Sequence, residues 1–341
     1  MKAQVIKKMV MNKHINITPI FKSDEGNCFV KCLQEIYYYN NIAVNVSDIL
    51  AICDCFLLRY NYDNKGKVSI YINYENLDML PLKMKKEKFD NVEEGISKVK
   101  DEIVNGRPVM LIVNTFYVNY TDDYLKKSGG FFGGGHALII TGFDDERNRF
   151  SVCDPTFNKE KAYISYKEIR LAWTYNKEAG TFKPLTMFSF KKKNGESFNR
   201  NIIKRTLEKD LKEYLVNMNN GNESMSKWLN DFKEAIELGI NDKSKKIFQN
   251  IVYSMFHEIR WSRKNIGLVI KRFKTEKKDD IDFYSKKFED YFTKWSKIHN
   301  LTYLGVVTND IERIKKSYKK TILLIEEEIK YIGYMLENIF F

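Results

Sequence analysis

Residues 133–155 leave the chain little choice of local structure. Gly133-Gly134-Gly135-His136-Ala137-Leu138-Ile139-Ile140-Thr141-Gly142-Phe143-Asp144-Asp145 runs on to Phe150-Ser151-Val152-Cys153-Asp154-Pro155. Ala137–Thr141 is apolar and β-prone, 144–148 is a polar turn, and Arg149–Cys153 alternates apolar with polar residues, so the stretch predicts a β-hairpin. His136 opens the first strand behind glycines that allow close backbone approach, and Pro155 ends pairing just after Asp154. Antiparallel pairing sets the two ends of a hairpin side by side, so the imidazole and the carboxylate are expected as neighbours. A base with an orienting acid then needs a nucleophile. Asp144 and Asp145 read as turn residues, and Cys153 as pointing to the other side of its strand from Asp154.

Upstream, Asp24-Glu25-Gly26-Asn27 is a polar turn leading into Cys28-Phe29-Val30-Lys31-Cys32-Leu33-Gln34-Glu35-Ile36, where apolar residues at 29, 32, 33 and 36 have helical spacing. Cys28 therefore falls in the first turn of a helix, where unpaired amides and the positive end of the dipole favour thiolate over thiol. Cys32 lies one turn further on, as a packing residue on the buried face. A thiolate at a helix start, a His at a strand start and an Asp at a hairpin end match the papain-type arrangement in chain order and element type. The other histidines, His14, His257 and His299, lack the glycine-and-strand context.

These blocks, together with Ala162-Tyr163-Ile164-Ser165-Tyr166, resemble the papain-fold family of butirosin biosynthesis protein H and the related bacteriocin-processing peptidase domains, over roughly residues 15–180. The resemblance implies an α+β, papain-like cysteine protease fold, an N-terminal helix packed on an antiparallel sheet, followed by an all-α helical domain. It also implies a chemistry. Members of the first group move acyl groups from carrier-protein thioesters to amines, and amide synthetases of this style join carrier-bound acyl chains to a diamine. The expected activity is thus a cysteine-dependent acyltransferase or amide synthetase, transglutaminase-like on a papain fold, with Cys28, His136 and Asp154 as its catalytic residues. The implied partners are an acidic acyl or peptidyl carrier protein and a small amine. No cofactor is expected, because the carrier's phosphopantetheine arm is part of the substrate. The alternatives are a papain-like cysteine peptidase that processes a peptide leader and a non-enzymatic binding module.

An oxyanion hole of this type uses the Cys28 amide and one side-chain donor. The peptidase relatives place a Gln several residues before the Cys, whereas this chain has none between residues 5 and 33, and Lys22 stands near the expected place. Asn27 is the tentative donor, with a turn role as the plain alternative. A weaker hole suits an already activated thioester better than a peptide bond.

Composition narrows the setting. With 43% hydrophobic and 14% aromatic residues, the 341-residue chain is globular and not disordered, long enough for one large or two ordinary domains. No apolar run suits a signal peptide, and none approaches the roughly 20 residues of a membrane span, so a cytoplasmic location without membrane contact is expected. Five scattered cysteines read as free thiols, and Cys53-Asp54-Cys55 has no second ligand cluster to make a metal site. The net charge of +12 is a solvated lysine-rich surface or a field that steers an acidic partner; with 45 acids diluting the bases and no reader module, nucleic acid is not expected.

Along the chain, residues 15–27 are an extended approach, 28–41 the cysteine helix, and 46–52 a second helix with Ser47 as cap. Residues 56–74 alternate about the turn signal Asp63-Asn64-Lys65-Gly66, 92–104 form an amphipathic helix closed by Asn105-Gly106, and 108–113 a buried strand. A polar loop at 119–130 precedes Phe131 and Phe132, which are either cleft-lining or core. Residues 163–166 form a short strand, with Ser165 capping a helix to Trp173, and 187–190 a last strand. After Pro184 proline is absent and glycine sparse, so a boundary near 195 divides a catalytic domain, 1–195, from a helical bundle, 196–341. Its helices are expected at 200–217, 223–238, 243–274, 279–298 and 302–339. Arg260, Trp261 and Arg263 read as a surface ion-pair network around a core Trp, or as a substrate contact.

Overall fold

The computed structural model describes residues 12–17, 27–53, 57–70, 75–125, 135–174, 185–193, 205–206, 208–209, 211–213, 223–271 and 278–339. Lys22, residues 24–26, Cys55, Phe131–Gly134 and most of 200–217 lie outside them. Contacts divide the chain into two compact units, residues 1–49 with 77–198, and 50–76 with 199–341.

The first unit is α+β. Its antiparallel sheet has the order β4 (Leu82–Lys88), β9 (Thr186–Lys192), β5 (Val109–Asn114), β6 (Gly135–Asp144), β7 (Arg149–Asp154), β8 (Lys159–Ser165), and β1 (Asn12–His14) also pairs with β6. The expected hairpin is β6–β7. Ten residues long, β6 pairs with β5 through 135–140 and with β1 through 142–144. The handover falls at Gly142, where a Cβ would stand 2.6 Å from the Lys13 carbonyl oxygen and the β6–β7 register also shifts. Only a residue without a side chain lets β1 approach so closely.

β4 escaped the sequence reading. Lys83, Lys85, Lys86, Glu87 and Lys88 hide a strand that pairs with β9 over seven residues. It lies at one end of the sheet, where charge discourages further pairing, so the alternation that marks half-buried strands is missing. Lys159-Glu160-Lys161 extends β8 upstream of the expected strand for the same reason.

Helix α1 (Cys28–Tyr39) buries Phe29, Val30, Cys32, Leu33, Ile36 and Tyr37, with Phe29 edge-on to Phe188 of β9 at 5.5 Å. Helix α2 (Val46–Ile52) starts one residue before Ser47; Asp48 Oδ2 instead accepts from the Asn45 amide at 3.1 Å, so the Asn45–Asp48 pair does the capping. α3 (Val92–Val104) begins under the Asn91 cap and ends at Asn105, before Gly106 with φ +73°. α4 (Tyr166–Thr174) opens on a reciprocal Ser165–Glu168 cap, each backbone amide bonded to the other side chain at 3.2 and 2.9 Å.

The second unit is helical around a small hairpin, β2 (Leu58–Tyr60) with β3 (Val68–Ile70). Sequence order puts this hairpin among the first 195 residues, but its partners are helical side chains far downstream. Asp231 Oδ2 accepts from Tyr60 Oη and the Gly66 amide, both at 2.6 Å, Ser254 Oγ from the Val68 amide at 3.0 Å, and Glu258 Oε2 from the Ile70 amide at 2.6 Å. A strand edge that has no further strand finds its acceptors on helices.

The helices are α5 (Glu223–Glu237), α6 (Asp242–Tyr253), α7 (Arg260–Ile270), α8 (Lys278–Val307) and α9 (Ile311–Ile339), with a π-helical turn, Ser254–Ile259, joining α6 to α7. The expected break at 299–301 is absent. Thr302 returns its hydroxyl to the Ile298 carbonyl at 3.0 Å and contacts Ser317, so the helix continues to the turn at Asn309 and Asp310, where Asp310 caps α9. Arg263 belongs to no surface network. It is fully buried, bonded through Nη2 to Glu328 Oε2 at 2.6 Å, while Trp295 Nε1 donates to Glu328 Oε1 at 2.6 Å. Trp261 is half-buried, edge-on to Phe292 at 5.5 Å. Among the described residues no helix is long and apolar enough to cross a membrane.

Candidate active site

Asn27 and Cys28 define the start of α1. Asn27, in extended conformation, accepts from the Val30 amide through Oδ1 at 3.0 Å and from the Lys31 amide through its carbonyl at 3.0 Å. The cap does not draw on the Cys28 amide. It uses the side-chain oxygen of Asn27 as an acceptor, whereas the donor hydrogens of this side chain are those on Nδ2. The other position considered for the oxyanion hole, Lys22, lies outside the described residues.

Two sulphur contacts tie the helix to β6 at Ala137. The Ala137 amide donates to Cys28 Sγ at 3.4 Å, and Cys32 Sγ donates to the Ala137 carbonyl at 3.4 Å. Two cysteines one turn apart thus bracket the residue after His136. That register brings the Cys28 thiol into hydrogen-bond contact with the His136 side chain. His136 Nε2 meets Asp154 Oδ2 at 2.7 Å, which leaves Nδ1 for the sulphur. Cys28, His136 and Asp154, far apart in sequence, are one connected group.

Asp154 is fully buried and has four donors around it. Oδ2 takes His136 and Tyr120 Oη, the latter at 2.9 Å, and Oδ1 takes the amides of Thr156 at 3.1 Å and Phe157 at 3.4 Å. Buried carboxylates persist only when satisfied in this way. The Oδ1 contacts are an Asx-type turn that Asp154-Pro155-Thr156 signals in the sequence. Phe157 stands edge-on to the His136 ring at 5.1 Å and edge-on to Tyr120 at 6.3 Å. Neither Tyr120 nor Phe157 is picked out by the sequence reading. Tyr120 sits in a loop without periodicity, one of 21 tyrosines, and only the tertiary contact marks it.

The electrostatics follow from these contacts. Burial disfavours the Cys28 thiolate, but the His136 hydrogen bond and charge and the Ala137 amide outweigh it, so the thiol titrates below its ordinary 9.0. Burial likewise works against a charged His136, and the Asp154 carboxylate and the Cys28 sulphur overcome it, raising the imidazole from 6.5 to about 10. Both shifts favour the thiolate–imidazolium form of the pair, the form in which a cysteine is nucleophilic. Cys32 is pushed well up and Cys153 up to about 12, both mainly by burial, which makes them inert packing thiols. Cys53 is buried. The described residues hold no group of three His, Cys, Asp or Glu side chains suited to a metal.

His14 pairs in β1 opposite Gly142, and His257 and His299 belong to the helical unit.

Among known families, residues 65–155 match the model described as butirosin biosynthesis protein H, N-terminal. The match takes in His136 and Asp154 and begins downstream of Cys28. No curated protein matches the chain. Among solved structures the chain is similar to Xylellain, a cysteine protease from Xylella fastidiosa, at 14% identity over 57% of this chain and 90% of that one, with a TM-score of 0.35. Over residues 65–155, the chain is thus similar to the butirosin biosynthesis protein H family.

Proposed function

We propose that the protein is a papain-like, cysteine-dependent acyltransferase of antibiotic biosynthesis that forms an amide from a carrier-bound thioester and an amine. The observation that carries the reading is the Cys28 thiol bonded to His136, whose Nε2 is held 2.7 Å from the buried Asp154. The family resemblance supports the choice of thioester and amine as substrates, and so does the lack of a Gln between residues 5 and 33.

The steps balance as follows. Cys28 thiolate attacks the carbonyl carbon of an acyl chain on a phosphopantetheine arm; the new C–S bond forms as the old one breaks, and the departing thiolate takes the proton of the His136 imidazolium. An amine then attacks the acyl-enzyme, neutral His136 accepts its proton, and Cys28 leaves as thiolate beside the re-formed imidazolium. Asp154 holds the ring in the tautomer that serves both steps. For the amine to prevail over water, it must be held against the acyl carbon in a site that excludes solvent.

The test incubates the protein with an acyl thioester and a panel of amines, then with peptides. Amide product, an acyl adduct on Cys28 by mass spectrometry, and loss of both in Cys28→Ala are expected. Amide formed by Cys28→Ala would overturn the covalent route, and peptide cleavage without amide would replace this reading with the peptidase one.

A further inference from the structure

The loop after β5 is braced throughout its described part, 115–125. Asn114 Oδ1 accepts from the Phe116 amide at 2.9 Å, Thr115 Oγ1 donates to Asp123 at 2.8 Å, Thr121 Oγ1 reaches the Thr115 and Val118 carbonyls at 3.0 Å each, and the Leu125 amide donates to the Phe116 carbonyl at 2.9 Å. Tyr124 Oη bonds Glu168 at 3.1 Å. From this fixed frame Tyr120 extends its hydroxyl to Asp154 Oδ2, the same oxygen that faces His136 Nε2.

We infer that Tyr120 is a positioning residue that sets, through Asp154, how tightly His136 holds its proton. The inference rests on the role proposed above for Cys28, His136 and Asp154. Two donors on one carboxylate oxygen each draw charge from it and weaken the other's bond. The phenol therefore moderates the pull of Asp154 on the imidazolium and keeps His136 able to give up its proton and act as base toward the amine. Among the described residues, the titratable groups around this centre are Cys28, Cys32 and Glu35 from α1, Cys153 and Asp154 from β7, Glu160 from β8, and Tyr120 from the loop. Among these, only Tyr120 is an uncharged donor to the Asp154 oxygen.

The chain has four histidines, so 15N-histidine NMR resolves the titration of His136, assigned by its loss in His136→Gln. Tyr120→Phe is expected to move the His136 midpoint to higher pH by about one unit and to lower kcat for amide formation more than it alters KM. Tyr124→Phe removes a hydroxyl from the same loop but not from Asp154, and leaves the midpoint in place. Difluorotyrosine installed at position 120, a stronger donor, moves it down and gives a reading of opposite sign should Tyr120→Phe not fold. An unchanged midpoint in Tyr120→Phe and in the difluoro protein, or equal shifts in both loop variants, would overturn the inference while leaving the catalytic reading intact. A wild-type His136 that titrates near 6.5 would overturn both.

Discussion

Cys28 and Cys32 are one helical turn apart and both touch Ala137, yet their chemistry is opposite. The difference lies in the neighbour. Cys28 has the His136 side chain beside it, and Cys32 has apolar packing that penalises charge. Iodoacetamide is therefore expected to modify Cys28 ahead of Cys32 and Cys153, which peptide mapping checks. The sign of its pH dependence follows from the two shifts. The thiolate survives below the ordinary 9.0 and disappears as pH falls through the lowered value, whereas the imidazolium persists until pH rises through about 10. In His136→Ala the acid limb of alkylation moves up by one or more pH units, on the order of a tenfold loss of reactivity near neutrality. An unchanged limb would mean that the helix terminus alone activates the sulphur.

At the scale of elements, β6 carries the heaviest demand, since it pairs with β5 and β1 in turn along one edge and with β7 on the other. Gly142 makes that possible. A methyl group placed 2.6 Å from the Lys13 carbonyl forces β1 away or bends β6, so Gly142→Ala should lower stability by about 1–3 kcal/mol, read from the urea midpoint. Because the strain begins six residues past His136, the variant also separates sheet stability from chemistry: Cys28 alkylation should survive in the protein that remains folded. Charged strands such as β4 show the limit of pattern reading at this scale. Their pairing comes from backbone, which every sequence has, and not from a periodic apolar face.

At the scale of the molecule, each unit has its own stabilising centre. In the helical unit this includes an ion pair between Arg263 and Glu328, both sealed from solvent, with Trp295 donating to the carboxylate. Arg263→Met strands a buried charge and should cost about 3–5 kcal/mol, whereas adding Glu328→Gln, which keeps an acceptor for Trp295, should restore most of it; thermal melts of the three proteins decide. A double variant no more stable than Arg263→Met would mean that the pair contributes packing and not charge balance. The net charge of +12 bears on partners and not on folding. If the donor is an acidic carrier, its affinity falls as salt is raised from low to physiological ionic strength, and titrations at two salt concentrations test it.

Local chemistry made much of this protein legible without coordinates. The His–Asp hairpin, the helix that starts at Cys28 and α3 with its close at Asn105-Gly106 follow from periodicity and end signals that act within a few residues. What the sequence by itself determined is therefore which residue types stand at which element ends. Tertiary structure decided the rest. It chose Asn45–Asp48 over Ser47 as a cap, joined residues 50–76 to helices far downstream, and carried Arg263 inside. It also brought Tyr120 and Phe157 against the His136–Asp154 pair. The physical reason is range. Propensity and capping act over one or two turns of chain, whereas burial and shared hydrogen-bond acceptors depend on which distant segments the packed core brings within about 3 Å of one another.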